Sequence, residues 1–133
     1  AAAAPVGVRV HIRARAMADI QRACQFLSVR RFCRESALAL HRCSQAKETD
    51  CQAEQVRFQA CSEEMMPDVI RTLMDTAARR CPTEVGDFQR CVRENGGGTS
   101  AEEKCESLDL AAMDCAARVV LREGSASWET KAE

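Results

Sequence analysis

Four pairs of cysteines in this chain are each separated by nine residues: Cys33 and Cys43, Cys51 and Cys61, Cys81 and Cys91, Cys105 and Cys115. Of the nine cysteines, Cys24 alone stands outside that register. Nine cysteines scattered at random over 133 residues would rarely give four equal intervals. Each interval also carries an apolar residue seven positions after its first cysteine: Leu40, Phe58, Phe88 and Ala112. The repeated unit is therefore C-x6-apolar-x2-C.

Ten-residue spacing is helical. Ten residues turn a helix by about 1000°, roughly 80° short of three turns, and rise about 15 Å. Both sulfurs then sit on one side of a helix, with the +7 residue between them on that same side. Two such helices laid antiparallel bring the first cysteine of one to the last cysteine of the other. The register predicts outer bridges Cys33–Cys61 and Cys81–Cys115, and inner bridges Cys43–Cys51 and Cys91–Cys105. Leu40 then faces Phe58, and Phe88 faces Ala112, each pair forming a thin core between two bridges. Closing a loop of about 29 residues contributes roughly 3–4 kcal/mol in the chain-entropy account. Units of 40–50 residues bury too little apolar surface to stand without such staples.

Composition points the same way. The chain is rich in Ala, Arg, Glu and Gln, and has four Phe, one Trp and no Tyr. Helix formers dominate, and the β-branched and aromatic residues favoured in strands are few. No stretch approaches the ~18 consecutive apolar residues of a membrane span. The fold class expected is all-α: two disulfide-stapled antiparallel helical hairpins in tandem, joined by an amphipathic helix. Structural zinc sites pair their ligands two to four residues apart. The chain has no C-x-x-C, and its histidines are His11 and His41 alone. Redox catalysis asks for the same close cysteine pairs. No metal, no cofactor and no catalytic residue are expected. Charge is uneven: residues 1–47 hold nine basic and two acidic side chains, residues 48–133 ten and eighteen. A basic third can attract nucleic acid, but no aromatic residues are interleaved to stack on bases, and no nucleic-acid partner is expected.

Along the chain, residues 1–31 read as a basic extension with a helix from about Met17 to Arg31. Its stripe is Ile20, Cys24, Leu27 and Arg31, with Ala16, Ala23 and Phe26 beside it. The three arginines of residues 1–16 resemble a mitochondrial targeting stretch; a solvated basic tail is the preferred reading, with an initiator Met removed before Ala1. Cys24 is the expected unpaired thiol, first as a buried small hydrophobe and second as a reactive or intermolecular group. Residues 32–66 form the first hairpin, with helices over about 32–44 and 50–65 and a capping box at Thr49-Asp50-Cys51-Gln52. Pro67 is expected to break the helix or mark a restart. Residues 67–80 form a linker helix whose face is Val69, Ile70, Leu73, Met74 and Ala77. Residues 81–122 form the second hairpin, opened by Cys81-Pro82, turned at Asn95–Gly98, capped by Ser100-Ala101-Glu102-Glu103, and ended at Gly124. Residues 123–133 read as a tail, with Trp128 as an exposed contact or part of a disordered end.

Twin C-x9-C segments on antiparallel hairpins resemble the CHCH (coiled-coil-helix–coiled-coil-helix) family, here as two domains in tandem at 33–61 and 81–115. That resemblance implies a place in the mitochondrial intermembrane space, peripheral on the inner membrane. It also implies passage through a disulfide relay that reads apolar residues near a docking cysteine. Phe58, Phe88 and Val29 suit that recognition. It accounts for disulfides in a chain that shows no secretory signal peptide. The function it implies is a non-catalytic accessory subunit of a respiratory-chain complex, foremost complex I, with other subunits of that complex as partners. Alternatives are a CHCH subunit of complex IV, ATP synthase or the mitoribosome, and a soluble assembly factor or copper chaperone. Copper-carrying relatives use adjacent or near-adjacent cysteines, and this chain has no Cys-Cys pair.

Overall fold

A computed structural model describes residues 6–46 and 50–131, with side chains described over 12–46 and 50–124. Among the described residues the chain is helical throughout: α1 (Val6–Leu27), a π-helical turn (Ser28–Phe32), α2 (Arg34–Ala46), α3 (Gln52–Arg80), α4 (Pro82–Glu94), α5 (Thr99–Lys104) and α6 (Glu106–Lys131). No strand occurs among them. Four disulfides staple these helices as two antiparallel hairpins, one on α2 and α3, the other on α4 and α6.

Cysteines stand at the corners. Cys81 joins α3 to α4 with φ −128° and ψ 52°. The cause is Pro82, whose ring disfavours helical geometry in the residue before it while its own fixed φ suits a first helical position. Cys33 (φ −124°, ψ 35°) closes the π turn, its N–H donating to Ser28 O at 2.7 Å. Its carbonyl then accepts from Ala37 N–H at 2.9 Å and from Ser36 Oγ at 3.1 Å, which starts α2. Cys105 (φ −100°, ψ 11°) separates α5 from α6. The single helix expected between the cap at Ser100 and the stop at Gly124 is thus two helices meeting at a half-cystine.

Three other boundaries differ from the sequence reading. Helix α1 begins at Val6 rather than Met17. Helix α3 runs unbroken through Pro67. An internal proline costs about 3 kcal/mol, but here the helix is held on both sides of it. Cys61 anchors the preceding turns, and Val69, Leu73 and Ala77 are buried after it. Pro67 itself is exposed. The backbone of α6 passes Gly124 and continues to Lys131; the side chain of Trp128 lies outside the described residues.

The caps are also redistributed. Asp50 Oδ1 accepts from Gln52 N–H at 3.0 Å, so Asp50 serves the start of α3, and Thr49 lies outside the described residues. Helix α5 starts at Thr99 behind Gly98, with no side-chain cap, so the box expected at Ser100 does not form. The Gly run does stop α4. Gly96 N–H donates to Arg93 O and Gly97 N–H to Val92 O, the paired bonds of a Schellman motif. Gly96, Gly97 and Gly98 all have positive φ, which glycine adopts without steric penalty.

The chain divides into two compact units, one of residues 24–72 and one combining 1–23 with 73–133. In the second, α4 packs on α6. Its buried apolar side chains include Leu73, Ala77, Ala101, Ala112, Ala116, Ala117 and Val119. In the first, Leu27, Cys33 and Val69 are buried, and α2 has no buried residue. The linker face is narrower than expected: Val69, Leu73, Thr76 and Ala77 are buried, while Ile70 and Met74 are exposed.

Candidate functional site

The chemistry-bearing residues of this chain are its cysteines, and the helices place eight of them in pairs. The outer bridges are Cys33–Cys61 and Cys81–Cys115, with Cα–Cα distances of 6.0 and 6.3 Å. The inner bridges are Cys43–Cys51 and Cys91–Cys105, at 5.8 and 6.0 Å. These are the pairs that antiparallel stacking of the ten-residue register predicts. The separations lie in the ordinary disulfide range. Between the bridges, Leu40, Phe58 and Phe88 are half-buried and Ala112 is buried. Core filling is therefore more complete in the second hairpin than in the first.

Cys24 is the unpaired thiol, half-buried on α1. Burial pushes its thiol pKa up from the ordinary value, so at neutral pH it is protonated and a weak nucleophile. Cys81, Cys115 and Glu84 bring their ligand atoms within 4.8 Å of one another. The thiolate is the metal-binding form of cysteine, and both sulfurs here are committed to a disulfide. With the bridge closed, this cluster has only the Glu84 carboxylate to offer a cation. His41 is exposed on α2 and meets Gln45 at 3.4 Å.

Two grooves open beside these elements. One, of about 790 Å³, lies in the second unit along α1 and α6, lined in part by Ile12, Arg13, Ala16, Leu110, Asp114 and Arg118. The other, of about 620 Å³, lies in the first unit beside the Cys33–Cys61 bridge. Arg31, Arg34 and Arg57 line it with Glu35. The Arg31 guanidinium carbon is 5.1 Å from the centroid of the Phe32 ring, a cation–π distance.

A carboxyl pair in the second unit is absent from the sequence reading. Asp19 is buried on α1, bonded to Arg22. Asp114 on α6 pairs with Arg118 at 3.0 Å, and its Oδ1 is buried without a donor. Each carboxyl affects the protonation of the other. The bond to Arg22 holds Asp19 below the usual carboxylate range, whereas burial and then Asp19 push Asp114 above it. The signal in the sequence was an acid inside an apolar stripe. Ala16, Asp19, Ala23 and Leu27 form the buried face of α1, one step round from the stripe predicted through Ile20 and Cys24.

No family model, curated protein or solved structure matches this chain.

Proposed function

We propose that this protein is a non-catalytic, disulfide-fixed accessory subunit of a large mitochondrial inner-membrane complex, acting from the intermembrane-space side, with complex I as the first assignment. The observation that carries this reading is the joining of four C-x9-C segments into two stapled helical hairpins. Disulfides persist in oxidising compartments. Four such segments in one chain resemble the complex I accessory subunit with two CHCH domains, the NADH dehydrogenase alpha-subcomplex subunit 8 type. The 19-residue gap between Cys61 and Cys81 departs from that pattern. No described helix is long and apolar enough to cross a membrane, which accords with a peripheral position. Exposed apolar side chains on α3, namely Val56, Ile70 and Met74, suit a chain that packs against neighbours.

The experiment is fractionation of native mitochondrial membranes in mild detergent, followed by detection of the chain. Co-migration with complex I is the expected result. Migration with another complex moves the assignment there. A free small species, above all one carrying stoichiometric copper, overturns the subunit reading in favour of an assembly factor or chaperone.

A further inference from the structure

Three arginines converge on the Cys33–Cys61 bridge with no carboxylate in ion-pair contact with them among the described residues. Arg31 comes from the π turn, Arg34 from the first turn of α2, and Arg57 from α3, one turn before Cys61. A π turn offsets the chain by one residue relative to an α-helix, and such turns often accompany functional sites. Here it delivers Arg31 and Phe32 to the rim of the groove. Six other arginines are paired with carboxylates. Arg22, Arg71, Arg90 and Arg118 meet aspartates on their own helices, and Arg13 and Arg80 meet Glu106 and Glu123 on α6. Arg34 and Arg57 form no ion pair or hydrogen bond among the described residues, and Arg31 has only the face of Phe32. All three are exposed. Like charges gathered round one concavity repel one another, and nothing in the hairpin requires them there.

We propose that this groove docks an acidic polypeptide segment of a partner, whose carboxylates engage the guanidinium forks of Arg31, Arg34 and Arg57. Guanidinium matches carboxylate in a planar, two-bond geometry that lysine does not offer. The space, about 620 Å³, is larger than a single inorganic anion fills. Its wall includes the disulfide and Ala39, an apolar surface for the stems of acidic side chains. A membrane surface would be met by a flat basic face rather than a concavity. Nucleic acid would call for an open stacking ring, and Arg31 already lies over Phe32. Glu35, on the same wall, repels a carboxylate placed out of register and so adds selectivity. The inference extends the accessory-subunit reading by naming the partner's chemistry. It rests on that reading only for where the partner is found, so a failure of co-migration leaves the groove intact, and a failure of the groove leaves co-migration intact.

The test uses the full oxidised chain and a fluorescent polyglutamate peptide, read by anisotropy. Binding is expected, weakened about two- to fivefold by each of Arg31→Gln, Arg34→Gln and Arg57→Gln, as for exposed ion pairs, and roughly multiplicatively in the double variants. Arg93→Gln, an exposed arginine of α4 outside the groove, is expected to bind as the parent does. Retention of four disulfides by non-reducing mass spectrometry and an unchanged helical spectrum certify each variant's fold. Three results overturn the proposal: no binding by the parent, an equal loss in Arg93→Gln, or failure of polyglutamate to bind while phosphatidylglycerol vesicles or labelled DNA bind through the same three arginines.

Discussion

Asp19, buried on α1, and Asp114, half-buried on α6, influence each other's protonation, with Arg22 bonded to the first and Arg118 to the second. Asp114 Oδ1 is buried without a donor, and burial, then Asp19, push the Asp114 carboxyl above its usual range, so it takes up a proton more readily than an ordinary aspartate. With Asp114 raised, the folded state binds that proton more readily than the unfolded chain, so stability rises as pH falls through Asp114's folded value. With Asp19 lowered, its contribution is present above the ordinary carboxyl range of about 4 and is lost as pH falls through its folded value.

The pair therefore places its own stability maximum in mildly acidic solution, between those two values. Asp114→Asn supplies an amide N–H to Asp19 with no charge to protonate. It is expected to raise the neutral-pH melting temperature and to abolish the gain that the parent shows on acidification from neutrality. Thermal melts across pH with the disulfides intact give the answer. A parent-like pH profile in Asp114→Asn shows that Asp114 does not carry the acid-side gain.

Glycine substitutions should act with opposite signs in the second hairpin. Gly96 is at φ +85°, and a methyl group added there would meet nothing within 4 Å, so only backbone strain opposes alanine; that strain costs on the order of 1–2 kcal/mol. Gly86 lies inside α4, also with nothing within 4 Å. Alanine at a helix interior gains about 0.5–1 kcal/mol. Gly96→Ala should lower the denaturant midpoint and Gly86→Ala should raise it. Equal signs would show that the Schellman turn does not hold the glycine in its left-handed form.

Cys24 should behave as a shielded thiol. Half-buried and with a raised pKa, it is expected to react slowly with iodoacetamide at neutral pH in the native chain and rapidly once unfolded. Peptide mapping without reductant should return one alkylated peptide, that of Cys24, beside four bridged pairs. Cys24→Ser should leave those pairs unchanged. Fast native labelling would show that the thiol is open to solvent.

Much of the fold is legible because cysteine spacing is a geometric constraint that does not depend on packing detail. The ten-residue register defines which sulfurs share a helix face, and antiparallel stacking then leaves one pairing. Cys81-Pro82 and the Gly run are equally readable, since each limits the backbone locally. What was not legible depends on tertiary support. Pro67 breaks an isolated helix, yet α3 carries it because Cys61 and Val69–Ala77 are fixed on either side. The arginine groove brings Arg31 and Arg34 to Arg57, far apart in sequence, through a π turn that leaves no mark in the periodicity. Asp19 and Asp114 stand in apolar stripes, where an acid reads as an interruption until its partner on the other helix is known.

The two hairpins should differ in how far they depend on their staples. Bridges Cys33–Cys61 and Cys81–Cys115 close loops of similar size, with sequence separations of 28 and 34, so chain entropy assigns each roughly 3–4 kcal/mol. The helices they join are not equally packed. Helix α2 buries no residue completely, and Leu40 and Phe58 are only half-covered. Helix α6 buries Ala112, Ala116, Ala117 and Val119 and packs on α4. Losing the first outer bridge leaves only Cys43–Cys51, which spans 8 residues and cannot hold α2 along its length. The double variant Cys33→Ser, Cys61→Ser is therefore expected to lose amide protection throughout α2. Cys81→Ser, Cys115→Ser should lower stability by a similar amount yet keep protection in α4 and α6. Hydrogen exchange read by mass spectrometry compares the two directly. Equal loss of protection in both hairpins would mean that the buried alanines of α6 contribute no more than the half-covered pair of the first hairpin.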